Sequence, residues 1–220
     1  PCTIAAIKAY KPQSNSLGSG QVLQCPYPHE KARLVLREMA EQLALDLVDK
    51  GLVTDQLVLT VAFDIENLTD PARRKLYRGP VVTDHYGRQI PKHGHGSENL
   101  GEHTSSGKQL LEAATALFER IAPQELLVRK LSLSANHVIP EAEAIRKTSA
   151  PEQLNLFTDY ASLEKKEATR KAELEKERRM QQTMMSIKKK FGKNAILKGM
   201  SLEEGATARE RNAQIGGHKA

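Results

Sequence analysis

The chain of 220 residues contains no tryptophan and only two cysteines, Cys2 and Cys25. Two thiols make neither a disulfide framework nor a set with metal-ligand spacing, so a scaffold held by cross-links or by cysteine-bound metal is excluded. Their scarcity fits a reducing compartment, and a cytoplasmic location is expected. No apolar run approaches the length of a membrane span and no signal peptide opens the chain, so no membrane partner is expected. Hydrophobic residues make up 39% of the chain. That share suits a modest core with much solvated chain around it. An initiator methionine is also missing. The opening PCTIAAIKAYKPQSNS reads as the middle of a chain, so a C-terminal piece of something longer is expected, with a processed start as the alternative.

Charge is present but uneven. The net value is +6, yet residues 1–163 hold 18 basic and 19 acidic residues, whereas 164–198 hold 12 and 5. The globular part is near neutral and the basic field belongs to the tail. Such a field attracts polyanions, nucleic acid among them. The plainer alternative is a solvated helix of mixed charge.

Periodicity divides the chain. Residues 1–15 read as a linker, and SLGSGQVLQ (16–24) as a strand entered through glycines. From Pro28 to Lys50, Leu36, Met39, Leu43 and Leu47 recur at helical spacing, with Gly51 at the C-terminal cap position. Leu57 to Glu66 alternates, with Leu57, Leu59, Val61, Phe63 and Ile65 on one face of a strand. Residues 67–103 are turn-rich, and a third strand is expected within or near Val81–Asn99. A helix follows over Ser105–Ile121, capped by Thr104 or Ser105. Leu126–His137 is a fourth strand with Leu131, Leu133 and Ala135 on one face and Lys130, Ser132 and Ser134 on the other. The β-α-β-β-α-β order predicts an α+β fold, a split βαββαβ domain with a four-stranded antiparallel sheet and two helices on one face. The free face of the fourth strand is polar and basic, as suits a contact surface. Residues 162–191 should form one long helix, ended by Gly192. No heptad is sustained in it, although Met180, Met184, Ile187 and Phe191 form a partial stripe suited to docking.

Chemical motifs are weaker. Gly18-Ser19-Gly20 and Ser106-Gly107-Lys108 lack the spacing of a nucleotide phosphate loop. The first pair of glycines either lets backbone N–H groups approach a phosphate or makes a turn. His85, His93, His95 and His103 crowd one region without a cysteine, and exposed or DNA-adjacent histidines are expected over a metal site. Asp64, Glu66 and Asp70 have the composition of a Mg²⁺ site, but they lead into a loop where acidic residues form turns. No catalytic set stands out.

The stretch PEQLNLFTDY (151–160) carries three large apolar side chains between a linker and a charged tail. Gln153, Leu154, Leu156 and Phe157 have the physics of a peptide anchor: apolar side chains for pockets and an amide to fix register. The alternative is that they fold back on the domain.

QLNLF resembles the consensus by which bacterial DNA polymerases and repair proteins bind the β sliding clamp. The preceding domain resembles the little finger of Y-family translesion polymerases, the UmuC/DinB group. The carrying residues are 16–24, HEKARLVLREMAEQLALDLVDKGL (29–52), TDQLVLTVAFD (54–64) and LLVRKLSLSANHV (126–138). The tail 188–220 is similar to the end of UmuC-like proteins from Gram-positive bacteria. The resemblance implies a tether over 1–15, a little finger over 16–140, a linker with a clamp motif over 141–161 and a basic tail over 162–220. It also implies a role in DNA repair, translesion synthesis and the SOS response. Primer-template DNA would be gripped without reading its sequence, through Gly18, Ser19, Gly20, Lys130, Ser132 and Ser134, with Arg129 and Lys92 as further candidates. Recruitment by the clamp would use Gln153, Leu154, Leu156 and Phe157. The polymerase carboxylates precede the little finger in that family, so this chain should not polymerise DNA alone. No cofactor is expected in it, with Mg²⁺ belonging to the palm. Residues 67–103 depart from the family's short hairpin. The rival readings are a free-standing ferredoxin-like nucleic-acid binder and a metal-dependent enzyme using the histidines with Asp64, Asp70 or Asp84.

Overall fold

The computed structural model describes residues 3–9, 15–148, 160–215 and 218–219. In chain order the elements are α1 (Ile4–Ala9), β1 (Leu17–Tyr27), α2 (His29–Lys50), β2 (Leu52–Phe63), α3 (Glu66–Thr69) and α4 (Pro71–Leu76). A small hairpin, β3 (Val81–Thr83) and β4 (Gln89–Pro91), precedes β5 (Gly94–Thr104) and α5 (Gly107–Ile121). Then come β6 (Val128–Asn136), β7 (Ile139–Pro140), α6 (Glu141–Thr148) and α7 (Tyr160–Phe191). A 3-10 turn (Gly199–Leu202), α8 (Ala208–Asn212) and the short strands Gln214–Ile215 and His218–Lys219 complete the described chain.

The four long strands form an antiparallel sheet in the order β1-β6-β2-β5, with β7 paired to the start of β2. Both α2 and α5 pack on one face. The alternation expected of β2 is realised: Leu57, Leu59, Val61 and Phe63 are buried under the helices. Leu131, Leu133 and Ala135 of β6 join them, facing Leu36, Met39, Leu43 and Leu47 of α2 and Leu110, Leu117 and Phe118 of α5. Each such side chain contributes roughly 1.5–3 kcal/mol on leaving water. Gly51 ends α2 in the left-handed region at φ 64°, a conformation that costs glycine little.

Several boundaries differ from the sequence expectation. Strand β2 starts five residues early because Leu52 and Val53 pair with Pro140 and Ile139. It stops at Phe63, since the Asp64 carboxylate accepts the N–H of Glu66 at 2.9 Å and turns the chain into α3. Ile65 therefore leaves the strand. The cap of α5 is Ser106, one residue beyond the expected pair. Thr104 is still in β5, and its hydroxyl accepts the N–H of Ser106. The connection 67–103 is not one long loop. Asp70 caps α4 by accepting from Ala72 and Arg73, and Asp84 closes the β3–β4 turn by accepting from Tyr86 and Arg88. Buried Asn67 pins α3 to the sheet through Asp64 O, Leu127 O and Leu127 N–H.

The tail helix folds onto its own domain. Glu177 of α7 accepts the Ser106 hydroxyl at 2.7 Å and the Lys108 N–H at 2.9 Å, placing a carboxylate at the positive end of α5. Gln181 donates to Ser105 O, Lys189 pairs with Asp49, and Arg178 pairs with Glu141. Burial beside α2 pulls the Lys188 ammonium below the usual lysine range, with Glu41 and Asp46 opposing. Of the expected apolar stripe, Met184 shares a cleft with Ala44 and Leu45 of α2, while Met180 and Phe191 stay exposed.

The segment after α7 wraps the back of α2. Glu38, only 3% exposed, accepts the N–H groups of Thr207 at 2.8 Å and Ala208 at 3.0 Å and lies 3.8 Å from Arg211. Lys198 pairs with Glu41, Lys31 with Glu204, and Gln21 of β1 donates to Thr207. Thus α2 is buried on two sides, by the sheet through one stripe and by the tail through Leu34, Glu38 and Leu45.

Candidate nucleic-acid interface

Among the described residues the sheet's two packed helices, α2 and α5, lie on one face, and no helix is packed on the other. Strand pairing aligns the residues of this second face in rows: Gly18, Ser134, Val58 and Ser97 across four strands, then Gly20, Ser132, Thr60 and His95. A third row holds Val22, Lys130 and Ala62, and Gln56 lies between Asn136 and Asn99. Every side chain in these rows is small, polar or basic except Val22, Val58 and Ala62, and none is acidic. A surface with a lysine and a histidine but no carboxylate is attractive to phosphate and does not repel it.

Two local features shape this face. A Cβ on Gly18 would lie 2.7 Å from the Cβ of Ser134, and one on Gly20 would lie 3.2 Å from the Ser132 hydroxyl. These glycines therefore let β1 approach β6 closely, leaving bare backbone beside the two serines. They make no turn. The second feature is the alternation His93-Gly94-His95-Gly96. A Cβ on Gly94 would meet Ile121 O at 2.5 Å, and one on Gly96 would meet Leu117 and Ile121 at 3.0 and 3.1 Å. The glycines face α5, which packs against bare β5 backbone, and strand alternation turns His95 to the open face. His95 Nδ1 lies 2.9 Å from the Thr60 hydroxyl.

The residues singled out in the sequence fall into three groups. Gly18, Gly20, Lys130, Ser132 and Ser134 come together on the open face. Ser19 pairs with buried Leu133, so its side chain belongs to the helix side and only its backbone reaches the β1 edge. In an antiparallel ladder alternate residues turn their N–H groups inward, so Gly18, Ser19 and Gly20 cannot all present free amides. Arg129 sits at the irregularity between Val128 and Lys130, its Nε 3.8 Å from an Asp64 carboxylate oxygen. Lys92 is exposed between β4 and β5, with its N–H given to Pro80 O. Gln153, Leu154, Leu156 and Phe157 lie outside the described residues.

Sequence reasoning missed Gln56, Asn99 and Asn136, which link three strands: Gln56 donates to Asn99 at 2.9 Å and accepts from Asn136 at 3.3 Å. The signal for Asn99 was polar alternation along β5, hidden by the surrounding glycines, and its meeting with Gln56 and Asn136 depends on strand register. Among the described residues no group of three or more His, Cys, Asp or Glu side chains is arranged to hold a metal, and no helix is long and apolar enough to cross a membrane. Asp64 and Asp70 act as turn and cap acceptors, while His103 and His137 stand beside Asp55 at 3.8 and 2.8 Å.

The impB/mucB/samB family C-terminal domain matches residues 14–156, well over half of the chain. The chain belongs to this family. Its domain is the little finger of Y-family polymerases. No curated protein matches the chain. Among solved structures, the little finger domain of PolIV in a complex with the beta-clamp processivity factor is similar over 66% of this chain and 100% of that one, at 11% identity and a TM-score of 0.36. The wrapped tail, α7 onward, lies beyond the family match.

Proposed function

We propose that this little finger holds primer-template DNA through its open sheet face during translesion synthesis, and that the β sliding clamp recruits it through Gln153, Leu154, Leu156 and Phe157. The observation that carries the reading is the open face itself: rows of small, polar and basic side chains across four strands, broken by Val22 and Val58 and without a carboxylate. Serine hydroxyls and Lys130 donate to phosphate oxygens there, and low relief along Gly18 and Gly20 admits the sugar-phosphate chain. Such contacts position a duplex without reading its bases, which suits a polymerase that must accept distorted templates. The functional division follows: residues 16–140 grip, 141–161 tether and recruit, and 162–220 carry the basic tail. Ser19, Arg129 and Lys92 are assigned to the margin of the grip, through backbone amide or side-chain charge. Catalysis and its Mg²⁺ are assigned to the palm, and the work is cytoplasmic.

Two substitutions test the parts separately. Leu156→Ala with Phe157→Ala should abolish retention on immobilised clamp and leave duplex affinity unchanged; undiminished retention refutes the clamp assignment. Lys130→Glu should weaken duplex binding and leave clamp retention intact; unchanged affinity removes the open face from the function.

A further inference from the structure

We infer that the outward side of α7 is a second duplex-binding surface, separate from the open sheet face. The helix holds ten Lys and Arg against five Glu. The side turned to the domain is set by Glu177, Gln181, Met184 and Lys188. On the opposite side, positions 165, 169, 172, 176, 179, 183, 186 and 190 follow one another in alternating steps of four and three, which keeps them in line along a helix. All eight are exposed and none is acidic. The line carries Lys165, Lys176, Arg179 and Lys190. Among the described residues none of the three lysines is in an ion pair, and Arg179 has only an exposed contact with Glu175 at 3.6 Å, worth little in water.

The residues between the cations are short. Thr169 and Thr183 fold their hydroxyls back onto the carbonyls of Lys165 and Arg179, and Ser186 does the same onto Gln182. With Ala172, they leave low relief between charged posts, so a phosphate chain can lie close to the helix. From Lys165 to Lys190 the line runs about 38 Å, taking ~1.5 Å per residue. A duplex turn is about 34 Å, so the line matches one turn.

Charge and shape favour a duplex over a lipid surface. A helix lying on a membrane needs a free apolar face, and the apolar side of α7 is turned to its own domain, toward α5 and α6 at Leu174 and against α2 at Met184. Among its described side chains the large exposed apolar ones, Met180 and Phe191, stand about three turns apart. The site is also independent of the sheet. The α7 line shares no residue with the open sheet face, and α7 is held by the end of β5, the N-terminus of α5 and α2, so the two surfaces hold different stretches of nucleic acid.

The test uses the whole chain and a 30-base-pair duplex. Lys165→Gln, Lys176→Gln, Arg179→Gln and Lys190→Gln combined remove four cations while keeping good helix formers. The slope of log affinity against log salt should fall by about 3 to 4, at ~0.9 per phosphate contact, with helicity by circular dichroism unchanged. Combining the four with Lys130→Glu should give a further loss; Lys130→Glu alone should leave residual binding with the α7 contribution intact. An unchanged slope in the quadruple variant overturns the inference, as does an equal loss of binding to phosphatidylglycerol vesicles or polyglutamate. Should the variant lose helicity, acetylation of the unaltered protein decides: duplex should protect Lys165, Lys176 and Lys190, and equal labelling with and without duplex overturns the inference.

Discussion

Replacing Glu38 with Gln should release the C-terminal wrap and leave the sheet core standing. The carboxylate is 3% exposed and receives the N–H groups of Thr207 and Ala208, and the Thr207 hydroxyl at 3.3 Å. Its other oxygen is buried without a hydrogen-bond partner, and Arg211 is its counter-charge at 3.8 Å. Burial holds the Arg211 guanidinium below its usual pKa, and Glu38 opposes that shift. Gln keeps the volume but removes the charge. Each bond to a charged acceptor contributes about 1 kcal/mol more than its neutral counterpart. Two such bonds, together with the half-buried Arg211 left without a partner, give about 2–4 kcal/mol against docking. The amide nitrogen would take the unpartnered position or oppose the two donors, and neither placement recovers the loss. Native-state hydrogen exchange reads this directly, because local opening sets the exchange of Thr207 and Ala208. Their protection should fall roughly 30- to 700-fold, at ~1.4 kcal/mol per tenfold, while β6 amides keep theirs. Unchanged protection at both amides, or an equal fall in β6, refutes the reasoning.

Three further substitutions probe the domain that presents the open face. Gly94→Ala brings a Cβ to 2.5 Å of the Ile121 carbonyl, a backbone atom that cannot step aside. It should cost about 1–3 kcal/mol of stability by thermal or urea denaturation, and an unaltered midpoint would show that β5 and α5 are less closely set. Asn67→Ala removes three buried hydrogen bonds and should cost about 2–4 kcal/mol; a loss under 1 kcal/mol would mean water replaces the amide. Ser106→Ala strips the α5 cap and the hydroxyl held by Glu177. It should cost about 1 kcal/mol and raise protease cleavage within α7; intact resistance there would contradict the docking through Glu177.

Much of the domain was legible in the sequence because one stripe or one alternation dominated each element. The run Leu57, Leu59, Val61, Phe63 can only be a half-buried strand, and Leu36, Met39, Leu43, Leu47 can only be one helix face. What escaped had two causes. Glu38 and Glu41 have the composition of a solvated helix side, and only the pairing with a segment some 160 residues later turns that side inward. Leu34 and Leu45 were its quiet signal, a second apolar set opposite the first. The glycines of 93–96 hid the other lesson. Read along the chain they suggest a loop, whereas in the sheet they are the contact with α5, and His95 between them is the surface. The grouping of Gly18 and Gly20 with Ser132 and Ser134 depends on strand register, which no local pattern states.

The central claim is that DNA lies on the open sheet face. Amide chemical-shift mapping of the chain titrated with a short primer-template duplex tests it residue by residue. The account predicts shifts concentrated at Gly18, Gly20, Lys130, Ser132, Ser134, Thr60 and His95, with the buried amides of α5 silent. Shifts confined to the helix layer and the tail, with those seven unmoved, would contradict it.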